Sequence, residues 1–155
     1  MAYDREKAVA YAHRWAYGRN PRYANFDGMG GDCTNFVSQC LAAGGCAMNL
    51  TPTLGWYFYT LDTRSPAWSG VEYLYNFLTR NRGVGPYGSE VSAEQLLPGD
   101  LVQLSFDGER YGHCALIVTT LPEIRVAAHT FNSDNRPLGS YTFQKKRFIH
   151  LEGSR

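Results

Sequence analysis

Cys33 and His113, far apart in the sequence, have the surroundings that nucleophilic chemistry on a carbonyl requires. Cys33 lies in Gly30-Gly31-Asp32-Cys33-Thr34-Asn35-Phe36-Val37-Ser38-Gln39. Two glycines open backbone conformations closed to other residues, Asp32 is a favoured helix cap, and an apolar stripe then begins at helical spacing, so the pattern predicts a helix starting at the cysteine. Unpaired amides and the positive end of the helix dipole there favour a thiolate, the nucleophilic form of cysteine. A lone Cys on an apolar helical face is ordinarily packed and inert, and Cys40 is read that way. Cys33 differs because Gly-Gly-Asp precedes it and a suitable imidazole lies downstream. The Asp32 carboxylate beside the sulfur opposes thiolate formation, so Asp32 is assigned to capping or substrate contact.

A thiol nucleophile needs a base that takes its proton and returns one to the leaving amine, and imidazole does this best near neutral pH. Of the four histidines, His113 sits in Tyr111-Gly112-His113-Cys114 at the mouth of an expected strand, and His129 closes the next strand in Ala127-Ala128-His129-Thr130. Antiparallel neighbours bring the start of one strand beside the end of the next, so the two imidazoles are expected side by side. His150 shares a strand with Phe148 and is given little weight, and His13 falls off its helix's apolar stripe and is read as a surface residue.

The elements that must position these groups follow from periodicity. Asp4 caps a first helix with Ala8, Tyr11, Ala12, Trp15 and Ala16 on one face, and a loop from Asn20 to Gly31 delivers the chain to Cys33. The Cys33 helix stops at Gly44-Gly45. Trp56-Tyr57-Phe58-Tyr59 are four aromatics that cannot all face one core, so at least one is expected exposed; Trp56 is the candidate for a substrate-facing wall, with a packed loop as the other reading. A third helix is expected from Ala67 to Asn81. Strands are expected at 101–106, 114–120, 124–130 and 147–151, with Asp107-Gly108 as a hairpin turn. Helices first and an antiparallel sheet after is the α+β layout.

Composition sets the limits. The chain has 155 residues, enough for one domain with a proper core, and no repeat or linker marks a second. A formal net charge of +1, from 15 Lys+Arg against 14 Asp+Glu, lacks the basic excess of a nucleic-acid binder. None of the four cysteines, at 33, 40, 46 and 114, forms a two-residue-gap pair, so no metal is expected, nor any cofactor. The charged N-terminus has no apolar run long enough for a signal or a membrane span. The chain as written is expected to be cytoplasmic, or a trimmed domain of a secreted protein, and monomeric.

Asp32-Cys33 at a helix start, Pro98-Gly99-Asp100-Leu101-Val102 opening the sheet, and Gly112-His113 followed by Cys114-Ala115-Leu116-Ile117-Val118 resemble papain-like amidases and peptidases of bacterial cell-wall metabolism, of the NlpC/P60 and CHAP kind. More closely, Gly-Gly-Asp-Cys-Thr-Asn-Phe-Val-Ser-Gln with a late His-Thr and a Phe-Ile-His strand resembles the putative amidase domain family, over residues 3 to about 151. The resemblance implies a papain-like fold, with N-terminal helices on a C-terminal antiparallel sheet, and a cysteine amidase in which Cys33 attacks an amide and His113 shuttles the proton. It implies a third residue that orients the imidazole: His129 by position, with Asn132 and Asp134 as rivals. The implied substrate is a peptide or peptidoglycan amide. The backbone N–H of Cys33 is an expected oxyanion donor, and a non-catalytic binding module of the same fold is the competing reading.

Overall fold

A computed structural model describes residues 2–155. Its elements are α1 (Arg5–Trp15), α2 (Cys33–Ala43), β1 (Phe58–Thr60), β2 (Thr63–Arg64), α3 (Pro66–Ser69), α4 (Val71–Arg80), β3 (Pro86–Val91), β4 (Leu101–Ser105), β5 (His113–Thr119), β6 (Arg125–Ala128), β7 (Ser133–Pro137) and β8 (Lys145–Ser154). β3 to β8 form one antiparallel sheet in the order β3-β8-β4-β5-β6-β7, and β1 and β2 form a separate hairpin. The α+β layout expected from the sequence is the one found.

α1 begins at Asp4, whose carboxylate accepts from the Lys7 N–H at 3.1 Å. Its buried residues are small, Ala8 and Ala12, with Ala16 just beyond, and this lets α1 lie close to α2. α2 is the central element: every residue from Cys33 to Leu41 is buried. Phe36, Val37 and Leu41 are fully covered, each contributing roughly 1.5–3 kcal/mol through burial. α2 stops where Gly45 takes a φ of +91°, a left-handed conformation that favours glycine.

The sheet's two faces carry different covers. Cys114, Leu116 and Val118 of β5 join the core under the helices, with Phe36, Val37 and Leu41 of α2. The alternate residues Ala115 and Ile117 join a second core with Val102, Leu104 and Phe148, roofed by Leu138 and Tyr141 from the turn after β7. The β4–β5 hairpin turns at Asp107-Gly108, where Asp107 Oδ1 accepts from the N–H groups of Glu109 and Arg110.

The helix expected over 67–81 is two helices. Gly70 breaks it with extended backbone (φ −114°, ψ 130°), and a Cβ there would lie 2.8 Å from the Tyr73 ring and 3.0 Å from the Pro66 carbonyl. β3 and β7 were not expected, and they are the sheet's two edges. Trp56 is no substrate wall: it is fully buried, packs tilted against Trp68 with ring centroids 4.8 Å apart and donates its Nε1–H to Ser38 Oγ at 3.1 Å. Of the four aromatics, Tyr59 is the exposed one. No helix among the described residues is long and apolar enough to cross a membrane.

Candidate active site

Cys33 is the first residue of α2 and is 5% exposed. Its sulfur lies 3.8 Å from Thr34 Oγ1, and the backbone N–H of Cys114, in the peptide joining His113 to Cys114, is near enough to lower the thiol's pKa. The α2 N-terminus and the mouth of β5 therefore meet at the sulfur. A cleft of about 400 Å³ opens beside it, lined among others by Cys33, Gly70, Tyr73, Glu109, Tyr111 and Gly112.

Burial pushes the Cys33 thiol up from its ordinary value, further than the Cys114 N–H, the Thr34 hydroxyl and the Thr34 N–H bring it down; Asp32 adds to the rise. The helix start therefore holds the thiol form in the free protein, against the expectation of a resident thiolate, because desolvation of a nearly closed site outweighs the terminal amides. His113 is 3% exposed, and burial followed by the Arg136 charge brings its pKa down to about 4. The resting site is thus a neutral thiol and a neutral imidazole. No hydrogen bond joins them in this structure, and His113 Nε2 is buried without a partner.

His129 does not stand beside His113. Alternation puts His113 on the face of Ala115 and Ile117, and His129 on the face of Ala127, under the helices. The His129 ring stacks on Phe36 with centroids 4.1 Å apart, its Nδ1 lies 2.5 Å from Asp32 Oδ2, and its Nε2 lies 2.7 Å from the Trp15 carbonyl oxygen. With both nitrogens engaged, it has none to offer His113. The two rivals are also committed: Asn132 Oδ1 accepts from Arg19 at 3.3 Å, and Asp134 pairs with His13 at 2.7 Å on the surface.

Asp32 neither caps α2 through its side chain nor faces a substrate, since it is fully buried. Its Oδ1 accepts from the Phe26 N–H at 2.8 Å and from Asn35 Nδ2 at 2.9 Å; its Oδ2 takes His129, with Arg19 Nε at 3.3 Å. Burial raises the carboxyl, but the hydrogen bonds from His129, Phe26 and Asn35 outweigh it and leave its pKa below the usual carboxylate range. One carboxylate thus ties the loop before Cys33, the first turn of α2 and the end of β6 into one rigid mount.

Three residues at the site escaped the sequence reading. Arg147 of β8 is held between the Tyr75 and Tyr111 rings, at 3.6 and 3.9 Å, and bonds Gln103 and Glu72, which braces the loop leading to His113. Tyr111 forms part of the cleft wall. Tyr141 packs its ring on His113 with centroids 5.6 Å apart, while Phe106 lies 6.1 Å away. Nothing in the sequence marked Arg147 as buried: it ends the basic run Lys145-Lys146-Arg147, yet it is only 8% exposed. Among the described residues no group of three or more His, Cys, Asp or Glu is placed to hold a metal ion.

The chain is 36% identical over 119 residues to the uncharacterized protein YhbB of Bacillus subtilis (strain 168), covering 75% of this chain and 37% of the relative. It therefore spans little more than a third of that relative's length. No solved structure matches the chain. The family model described as "Putative amidase domain" matches residues 2–152, nearly the whole chain, and the protein belongs to that family.

Proposed function

We propose that the protein is a cysteine amidase of papain-like architecture, in which Cys33 is the nucleophile and His113 the base. The observation that carries this reading is the position of Cys33 as first residue of the buried helix α2, on a cleft that Gly112, the residue before His113, also lines. Family membership supports amide hydrolysis as the reaction class. Because both partners are neutral at rest, the proton moves during attack: His113 takes it from the thiol as sulfur bonds to the carbonyl carbon. The negative charge that gathers on the carbonyl oxygen is met by the Cys33 N–H. His113 then gives its proton to the departing nitrogen as the C–N bond breaks, leaving a thioester that water hydrolyses, with His113 again as base.

The cleft walls carry Glu72, Glu109 and Arg110 beside Tyr73 and Tyr111, a polar and aromatic lining that suits a peptide. The resemblance to cell-wall amidases selects the amide bonds of peptidoglycan within that class. Incubation with purified peptidoglycan is expected to release new free amino and carboxyl groups and no new reducing ends, with none released by Cys33→Ser. Release by Cys33→Ser at the wild-type rate would assign the chemistry to another group.

A further inference from the structure

His129, Asn132 and Asp134 leave the orienting role empty, and the other face of the sheet carries the ring that packs on His113. Within the second core, Tyr141 and His113 lie ring against ring, both nine-tenths buried or more. Each ring carries a polar atom that is sealed from solvent and has no hydrogen-bond partner: His113 Nε2 and the Tyr141 hydroxyl. Native interiors rarely leave such atoms unpaired, and two on touching rings call for a common explanation. Ser133 and Arg136 lie close enough to the phenol to oppose the rise that burial gives its pKa, but their own best hydrogen bonds go elsewhere. Ser133 directs its own hydroxyl to the Phe131 carbonyl, and Arg136 directs Nε to Ser140 while its guanidinium carbon lies 3.5 Å over the Tyr141 ring.

We propose that Tyr141 is the positioning residue for His113: in the working state its phenol oxygen accepts the Nε2–H, which leaves Nδ1 to exchange a proton with Cys33. One bond satisfies both orphan atoms and selects the tautomer whose Nδ1 lone pair can act as the base. Arg136, 3.5 Å from the phenol ring centre, and Phe106, 6.1 Å from the imidazole, limit the movement of the two rings. This inference rests on the assignment of Cys33 and His113 made above.

Tyr141→Phe keeps the ring and its packing and removes only the oxygen. Two readouts separate positioning from structure: the tautomer of His113, read from its imidazole 15N shifts, and the pH–rate profile for alkylation of Cys33 by iodoacetamide. The wild-type ring is expected in the Nε2–H form, and Tyr141→Phe in a mixture of tautomers. Its thermal midpoint should be no lower than wild type, and its alkylation at neutral pH slower by roughly 3- to 10-fold, the worth of one net hydrogen bond. His113→Ala, run alongside, should slow alkylation further. Unchanged tautomer and alkylation in Tyr141→Phe, with His113→Ala slow, would overturn the role of Tyr141 alone. Wild-type alkylation in His113→Ala would overturn the Cys33 and His113 assignment, and Tyr141 with it.

Discussion

His129 and His113 both sit at strand ends on neighbouring strands, 1% and 3% exposed, and they are finished in opposite ways. His129 has every polar contact it can make, to Asp32, to the Trp15 carbonyl and to the face of Phe36. His113 has aromatic rings around it and a buried nitrogen without a partner. The first arrangement stabilises: a charge-assisted bond bridges segments 97 residues apart. The second costs stability, because a desolvated nitrogen is left unpaired, and such a cost is tolerated where chemistry uses the atom. On the proposed reading His129 is a strut, and the unpaired nitrogen of His113 belongs to the base. The Asp100 region repeats the strut pattern. That buried carboxylate is bonded by Arg5, His150 and the N–H groups of Leu97 and Leu151.

The comparison breaks most readily through paired alanine variants. His113→Ala is expected to lower turnover by about 10²- to 10⁴-fold, the usual span for a general base, with an unfolding midpoint equal to or above wild type. His129→Ala is expected to do the reverse. It leaves the Asp32 carboxylate buried without its main partner and costs about 3–5 kcal/mol in chemical denaturation, while the folded fraction retains alkylation of Cys33. Equal stability losses in the two variants would erase the distinction.

The acid limb of the stability curve sharpens it. The His113 pKa is about 4 in the folded protein against 6.5 ordinarily, so the unfolded chain binds the proton more readily. Its contribution is complete above about pH 6.5 and is lost as pH falls towards about 4, by about 3 kcal/mol at 1.36 kcal/mol per unit. Asp32, with its pKa below the ordinary 3.8, acts in a lower window: its contribution is lost only as pH falls through that depressed value. Unfolding by urea between pH 4 and 7 should show the first slope in wild type and not in His113→Ala. The same slope in both would assign it elsewhere.

The smallest effects belong to the exposed partners. Asn132→Ala and Asp134→Ala remove surface contacts to Arg19 and His13 and should change stability by less than about 1 kcal/mol and leave turnover at the wild-type rate. A tenfold loss of turnover in either would return the orienting role to the loop after β6.

What could be read from the sequence was local. Gly-Gly-Asp-Cys followed by an apolar stripe placed Cys33 on the first turn of a helix, and Gly-His before a β-branched run placed His113 at a strand mouth. Both signals lie within a few residues of the side chain they concern. The role of His129 depends on Asp32 and on a carbonyl 114 residues away, and no local pattern encodes that. Tyr141 was invisible for a related reason: it follows a short turn, in a segment without periodicity, and its meaning comes from the ring it touches. β3 and β7 escaped because edge strands carry polar residues and proline, as in Ser133-Asp134-Asn135-Arg136-Pro137. The thiolate expectation failed on a competition of magnitudes, since burial exceeded the helix-end amides at Cys33.

The most direct test of the central claim is competitive alkylation with limiting iodoacetamide at neutral pH, with each cysteine quantified by peptide mapping in wild type, His113→Ala and His129→Ala. Burial raises the thiols of all four cysteines, but Cys33 opens onto the cleft and has His113 as its proposed base, so it should react first in wild type. It should slow in His113→Ala and keep its rate in folded His129→Ala. Equal labelling of all four cysteines, or a Cys33 rate that ignores His113 and follows His129, would contradict the account.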